Sequence, residues 1–275
     1  MQSLSVICLL FNLNTVSQIN SPNEPLKNSG PLEKVRVSKL LSELGLCSRR
    51  EADGYIEQGL VTVDGELVSE LGTRAFRQQK IELHAAAQRQ QEARITVILN
   101  KPIGFISHLD DDQAYQPAAS LITAEHYFPN PLEPNRSGRF NTRGLAPAGR
   151  LDIDSTGMLV LTQDGRIAKL LIGEDSPIEK EYLVRVTGKL SAAGLEQLNH
   201  GLSLDGQLLK RAKVSWQNED QLRFVLREGR KRQIRRMCEL VDLKVVGLKR
   251  IRIGQISLGP LPLGQWRHLK VDERF

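Results

Sequence analysis

Asp152 and Asp154 stand in the segment GRLDIDSTGMLVLTQDG (residues 149–165), behind a Gly-Arg-Leu approach and ahead of an apolar run. Each is a candidate nucleophile, although an aspartate in a glycine-flanked loop more often turns or caps the chain than reacts. In an extended loop the two side chains point to opposite sides, so only one can face a shared pocket, and spacing alone does not choose between them. Two other segments strengthen the case for chemistry. EKEYLV (179–184) places Tyr182 near the start of a strand, and RFVLREGRKRQIRR (223–236) runs strand, glycine turn, then a helix beginning near Lys231. On that helix Ile234, Met237, Cys238 and Val241 recur at helical spacing and face the core, with Arg232, Arg235 and Arg236 at the border of the stripe. An arginine half-buried at such a border requires a carboxylate partner. Cys238 follows the apolar spacing and is expected to pack rather than react.

The elements that must hold these residues are legible around them. Met158 to Thr162 reads as a buried strand closed by an Asp164-Gly165 turn, and Ile95 to Leu99 is a β-branched run that Asn100-Lys101-Pro102-Ile103-Gly104 punctuates. Lys101 there is either a phosphate contact or an ordinary loop residue. Residues 128–147, rich in Pro, Asn, Gly and Arg, read as a long surface loop. Upstream, Ser38 is placed to N-cap a helix carrying Leu40, Leu41 and Leu44, with Gly45 ending it. Ser48 and Glu51 form a capping-box pattern for a second helix that Gly59 closes. Leu60 to Val63 and Glu66 to Val68 flank Asp64-Gly65, a type I′ hairpin signal. The polar stretch 85–94 reads as a flexible, partly helical link, and residues 1 to about 33 as a poorly ordered extension. The first basic residue is Lys27, so the short apolar run at the start lacks the charged opening of a secretory signal.

Charge supplies a further constraint. Residues 223–252 hold eleven basic residues against three acidic ones, a net +8 in a chain whose total is +6, which leaves the rest at −2. A net-acidic body with one strongly basic stretch suits a polyanion. Three scattered cysteines exclude a disulfide framework, and neither these nor the five histidines have metal-ligand spacing, so a reducing compartment and no metal are expected. No apolar run reaches the roughly 18 residues of a membrane span.

VRVSKLLSELGLCSRREADGYIEQGLVTVDGELV resembles the S4 RNA-binding domain, whose basic residues on and between two helices grip RNA; here these are Arg36, Lys39, Arg49 and Arg50. KPIGFIS, GRLDIDSTGMLVLTQDG, KEYLV and EGRKRQIRRMCELVDLKVVGLKRIRIG, in that order behind the module, resemble the bacterial ribosomal RNA pseudouridine synthases of the RsuA/RluF type. RQIRRMCE and the closing LPLGQWR lean toward the large-subunit RluF branch. The likeness implies an α+β protein: an extension (1–34), an S4-like α/β module (35–85), a link (86–94) and a catalytic domain (95–275) on a mixed, largely antiparallel sheet. It places the nucleophilic aspartate on Asp152, the base-stacking tyrosine on Tyr182 and the active-site basic residue on Arg235. It implies a cytoplasmic monomer acting on ribosomal RNA, most often 23S rRNA or a large-subunit assembly intermediate, with tRNA as an alternative and no cofactor. RNA contacts are expected from the four module residues, from Lys101 and Arg150, and from Arg230, Lys231, Arg232 and Arg236.

The implied reaction explains the residue types. Breaking N1–C1′ and remaking C5–C1′ leaves an oxocarbenium-like sugar that one carboxylate can trap or stabilise. Uracil is both leaving group and returning nucleophile, so no second carboxylate is needed to activate water. A stacked ring would retain the detached base, or the tyrosine hydroxyl would take a proton from C2′ in an elimination route. An arginine paired with Asp152 would keep it ionised in a dry pocket. The cleft is expected between the GRLD loop and the turn near Gly229. The rivals are a non-catalytic assembly factor, opposed by the presence of Asp152, Tyr182 and Arg235 together, and a nucleoside glycosidase, opposed by the S4-like module and the lack of a second carboxylate motif.

Overall fold

The computed structural model describes residues 33–108, 114–129, 141–173 and 175–275. The expected extension up to residue 32, and residues 130–140 of the loop at 128–147, lie outside the described residues. Helix α1 (Val37–Glu43) begins one residue before Ser38, because buried Val37 donates its N–H to the Thr73 carbonyl at 2.9 Å. Ser38 is therefore buried in the first turn instead of capping it, and Leu40 and Leu41 face inward while Leu44 is exposed. Helix α2 (Arg49–Glu57) opens on the expected reciprocal capping box: the Ser48 N–H donates to Glu51 Oε2 at 2.5 Å and the Glu51 N–H to Ser48 Oγ at 3.4 Å. Strands β1 (Val61–Val63) and β2 (Glu66–Val68) are joined by Asp64 and Gly65, both at positive φ (50° and 85°) as a type I′ turn requires, and β3 (Ile81–Leu83) pairs with the other edge of β1.

The stretch read as a partly helical link is helical over most of its length. Residues Ala85–Glu92 form helix α3, whose Ala87 packs into the module's core. Gln91 accepts a hydrogen bond from the Tyr55 hydroxyl (3.0 Å) and donates to Asp164 Oδ1 (3.1 Å). Beyond the helix Arg94 pairs with Glu51 at 3.1 Å and donates to the Gln163 carbonyl at 2.6 Å, and Glu51 accepts from the Gly165 N–H at 2.9 Å. A polar composition reads as a linker, but these amides and charges satisfy one another across a packed joint between the small module and the turn after the GRLD strand.

The larger part is a nine-stranded sheet. Its main strands are β4 (Thr96–Lys101), β5 (Thr156–Thr162), β6 (Lys180–Gly188), β7 (Lys213–Trp216), β8 (Gln221–Leu226), β9 (Leu243–Ile253) and β10 (Trp266–His268), in the order β7-β8-β6-β9-β5-β4-β10. Every pairing along this order is antiparallel except β5 with β9. Three helices complete it: α4 (Gly165–Ile172), α5 (Ala192–Asn199) and α6 (Gln233–Glu239). Ile234, Met237 and Cys238 of α6 share a core with Tyr182, Val184 and Phe224, as the helical spacing predicts. Burying each such side chain stabilises the fold by roughly 1.5–3 kcal/mol. Burial pushes the Cys238 thiol up to about 12, aided by Glu239 and opposed by Arg235, which suits a packing residue.

Candidate active site

The GRLD loop is clamped from both ends. Buried Ser107 exchanges two hydrogen bonds with the Leu151 backbone, accepting its N–H and donating to its carbonyl at 2.8 Å each. At the other end Gly157, at φ +105°, lies so close to β9 that a Cβ there would sit 2.2 Å from the Arg250 carbonyl oxygen. Only glycine permits this approach, and it seats the parallel register Thr156↔Lys249 and Gly157↔Arg250. The loop thus delivers Asp152 to a cleft of about 880 Å³, walled on its far side by the turn through Gly229 and the start of α6, the location expected from the sequence.

The two aspartates part company here. Asp152 lines the cleft, and its carboxylate has no hydrogen-bond or ion-pair partner among the described residues; Lys101 and Arg232 act on it through their charge. Asp154 is absent from the cleft wall. Arg232 reaches it at 3.2 Å and Arg235 at 3.1 Å, and Arg235 also bonds its carbonyl at 3.0 Å. Partial burial pushes the Asp154 carboxyl up, but the Arg232 hydrogen bond and the charges of both arginines outweigh it and hold the group below its ordinary range. The expected pairing of Arg235 with Asp152 is thereby corrected: α6 carries Arg235 to the carboxylate on the loop's other side. A left-handed Arg232 (φ 50°) starts the helix at Gln233, two residues later than expected, and sets the direction from which both arginines approach.

Tyr182 lies in the cleft wall, opposite Phe224 on β8 and Arg250 on β9. The Arg250 guanidinium sits over its ring, 5.9 Å from the centroid, and donates to the Met158 carbonyl (2.7 Å) and the Arg150 carbonyl (3.1 Å). One buried cation thereby links the tyrosine, the GRLD loop and β5. The sequence reading passed over Arg250 and also Lys180, which lies two residues before Tyr182 on the same strand face. The available signal was their shared phase with Tyr182 and Leu248 in two alternating strands.

The basic residues divide into several populations. Lys101 is fully buried and donates to the Pro102 and Phe105 carbonyls at 2.8 and 2.9 Å, so the expected phosphate contact is excluded. Burial lowers its ammonium to about 8, with Asp152 and Asp154 opposing and Arg250 reinforcing the shift. Arg230 ties the Leu204 and Leu208 carbonyls, and Arg236 forms a two-bond pair with Asp205; they hold the 203–208 hairpin to the turn before α6 and to α6 itself instead of presenting open cations. Arg223 and Arg252 both reach buried Glu181 at 2.6 Å, on the face of β6 away from Tyr182, and Arg227 pairs with Glu179 at 3.2 Å. The +8 stretch is therefore not one RNA surface. Arg150, Lys231, Lys244 and Lys249 are exposed and have no ion-pair partner among the described residues, and the same holds for Arg36, Arg49 and Arg50 of the module. Lys39 makes a long 3.7 Å pair with Glu43, and Arg232 keeps a substantial exposed surface in the cleft.

Two family models match this chain: RNA pseudouridylate synthase over residues 95–240 and the S4 domain over residues 35–75. The chain belongs to the RNA pseudouridine synthases. It is 33% identical over 245 residues to the dual-specificity RNA pseudouridine synthase RluF of Escherichia coli (strain K12), covering 88% of this chain and 78% of that protein. It is 32% identical to the ribosomal large subunit pseudouridine synthase B of Bacillus subtilis (strain 168), covering 86% of this chain and 93% of that one. A crystal structure of a pseudouridylate synthase superposes with a TM-score of 0.57 at 26% identity, over 86% of this chain and 96% of the other. As a pseudouridine synthase it isomerises uridine in RNA, with an S4 domain ahead of the mixed, mostly antiparallel catalytic sheet. Among the described residues no helix is long and apolar enough to cross a membrane.

Proposed function

We propose that this synthase converts a specific uridine of ribosomal RNA, in 23S rRNA or a large-subunit assembly intermediate, with Asp152 as nucleophile. One observation carries the assignment: of the two loop aspartates, Asp152 alone lines the cleft with an uncommitted carboxylate, while Asp154 is held by two arginines. The flipped uridine enters beside Tyr182, and the Asp152 carboxylate attacks C1′ as the C1′–N1 bond breaks. Uracil, held against the Tyr182 ring, rotates and reattaches through C5 as the carboxylate leaves; C5 then loses its proton to solvent and N1 takes one up, so composition does not change. The Tyr182 hydroxyl has no hydrogen-bond partner among the described residues, which leaves it available to a proton at C2′ in the elimination route. Arg235 is a positioning residue: it fixes the loop through the Asp154 carboxylate and carbonyl. Arg36, Lys39, Arg49 and Arg50 bind flanking RNA, with Arg150, Lys231 and Arg232 at the cleft mouth. The working division is an RNA-binding module over 35–85 and a catalytic domain over 95–275, with α3 as their joint.

The large-subunit names of relatives support 23S rRNA, and the dual-specificity name of the E. coli relative makes tRNA the second RNA to test. A cytoplasmic monomer fits an enzyme of nascent ribosomes. The test is pseudouridine mapping across rRNA and tRNA in cells holding the wild-type protein, Asp152→Asn, or none. One large-subunit site lost in both altered strains is expected. Persistence of every pseudouridine in both would refute the reading.

A further inference from the structure

Strand β6 sorts its charges by face. Glu181 points to one side, where Arg223 and Arg252 hold it at 2.6 Å each. Lys180 and Tyr182 point to the other side, and both line the cleft. Lys180 differs from almost every other cation near the site. It is half-buried, yet no hydrogen bond or ion pair engages its ammonium among the described residues. Arg250, beside it on β9, bonds two carbonyls, and Arg232 and Arg235 hold Asp154. A half-buried ammonium without a partner is costly, and its retention in a cleft calls for an anionic or carbonyl ligand that arrives with the substrate. Two residues of strand separate its Cα from that of Tyr182 by roughly 6.6 Å, about the span of a pyrimidine ring in van der Waals contact with a neighbour.

We propose that Lys180 is a further catalytic residue, which donates to a carbonyl oxygen of the target uracil and stabilises the negative charge left on the base when C1′–N1 breaks. This rests on the reading of the cleft as the isomerisation site. As the bond to Asp152 forms at C1′, the N1–C1′ electron pair passes to uracil and spreads over O2 and O4. An ammonium at either oxygen opposes that charge in a partly dry site, where a fixed donor is worth most. When C5 attacks C1′ the charge is discharged and the contact weakens, so the lysine favours the dissociated base over both end states. It exchanges no atom with the substrate.

The surroundings of Lys180 set a pH signature. Burial lowers its ammonium to about 8, with Arg250 of β9 as the next cause. The other charged or titratable groups lining the cleft are Asp152, Arg150 and His108 on the loop side and, beyond β8, Glu228 with the cations Arg227, Arg230, Lys231, Arg232 and Arg235, and the α4 end contributes no charged lining residue among those described. The charged form is the active one, so turnover falls as pH rises through about 8.

The test uses the full chain and 23S rRNA transcribed in vitro with tritium at C5 of uridine, since remaking the bond at C5 releases that label. Single-turnover release and RNA binding are measured separately for the wild type, Lys180→Met, Lys180→Arg and Asp152→Asn, with thermal melts to verify folding. Lys180→Met is expected to release label about 100-fold more slowly, the usual effect of losing one charge-stabilising donor, with binding within about threefold of wild type. Lys180→Arg restores most of the rate and removes the alkaline fall, because arginine stays charged. A Lys180→Met rate within threefold of wild type would overturn the proposal. So would a loss seen wholly in binding, which would make Lys180 a backbone contact, or an alkaline limb unchanged in Lys180→Arg. If Asp152→Asn still released label, the nucleophile assignment would fail by itself, and a wild type silent on both 23S rRNA and tRNA would remove both readings.

Discussion

Replacing Asp154 by alanine separates the two aspartates. The wild-type carboxylate holds Arg232 at 3.2 Å and Arg235 at 3.1 Å. The first pair is substantially exposed on both sides and contributes at most about 1 kcal/mol. The second is stronger, since the Arg235 side chain is only 10% exposed, and a charge-assisted bond of that kind is worth roughly 1.5–3 kcal/mol. Asp154 itself is 41% exposed, so solvent screening takes the sum down to about 2 kcal/mol. For an ordered body of this size that lowers Tm by about 4–8 °C. The sign with pH follows from the folded carboxyl lying below its ordinary 3.8. The pair stabilises the protein above that value and the contribution is lost as pH falls through the folded pKa, so the Tm gap between wild type and Asp154→Ala should close in acid. In catalysis Arg235 retains the Asp154 carbonyl and the Val245 carbonyl, which keep the loop near its place. Single-turnover pseudouridine formation should fall roughly 10–100-fold, against a loss on the order of 10⁴ or more for Asp152→Asn, where the proposed nucleophile is removed. Tritium release at C5, paired with melts at neutral pH and at a pH well below 3.8, measures both. An Asp154→Ala protein that is folded, binds RNA and is as inactive as Asp152→Asn would refute the facing argument.

Two other perturbations follow from close backbone approaches. Gly157→Ala puts a Cβ 2.2 Å from the Arg250 carbonyl oxygen at a positive φ, so β5 and β9 must separate; a Tm loss of more than 10 °C and loss of isomerisation are expected, and a native-like melt would contradict the register. Gly165→Ala places a Cβ 2.3 Å from Ser48 Cβ, where the S4 module meets α4, and overpacking of this kind costs roughly 1–3 kcal/mol. The joint should open, giving faster proteolysis within residues 85–94 and weaker RNA binding with the chemical step retained; unaltered proteolysis would show that the joint bears no such strain.

What the sequence determined by itself was local or carried by pattern. The Ser48–Glu51 capping box, the Asp64-Gly65 hairpin and the α6 stripe of Ile234, Met237 and Cys238 depend on contacts within a few residues, so their spacing was sufficient. The ordered motifs pointed to the family and to the loop that carries Asp152. The tertiary structure decided which groups meet. Asp152 faces the cleft because Ser107 clamps Leu151 and Gly157 seats β5 on β9, contacts spanning 44 and 93 positions of chain that no local spacing encodes. The same assembly gave Arg235 to Asp154, buried Lys101, placed Arg250 over Tyr182 and locked a polar linker-like stretch into the α3 joint. It also divided the +8 stretch between structural ion pairs and open cations. Charge and polarity are written in composition, but a partner is chosen by strand register and helix direction. Those are fixed only when the sheet closes.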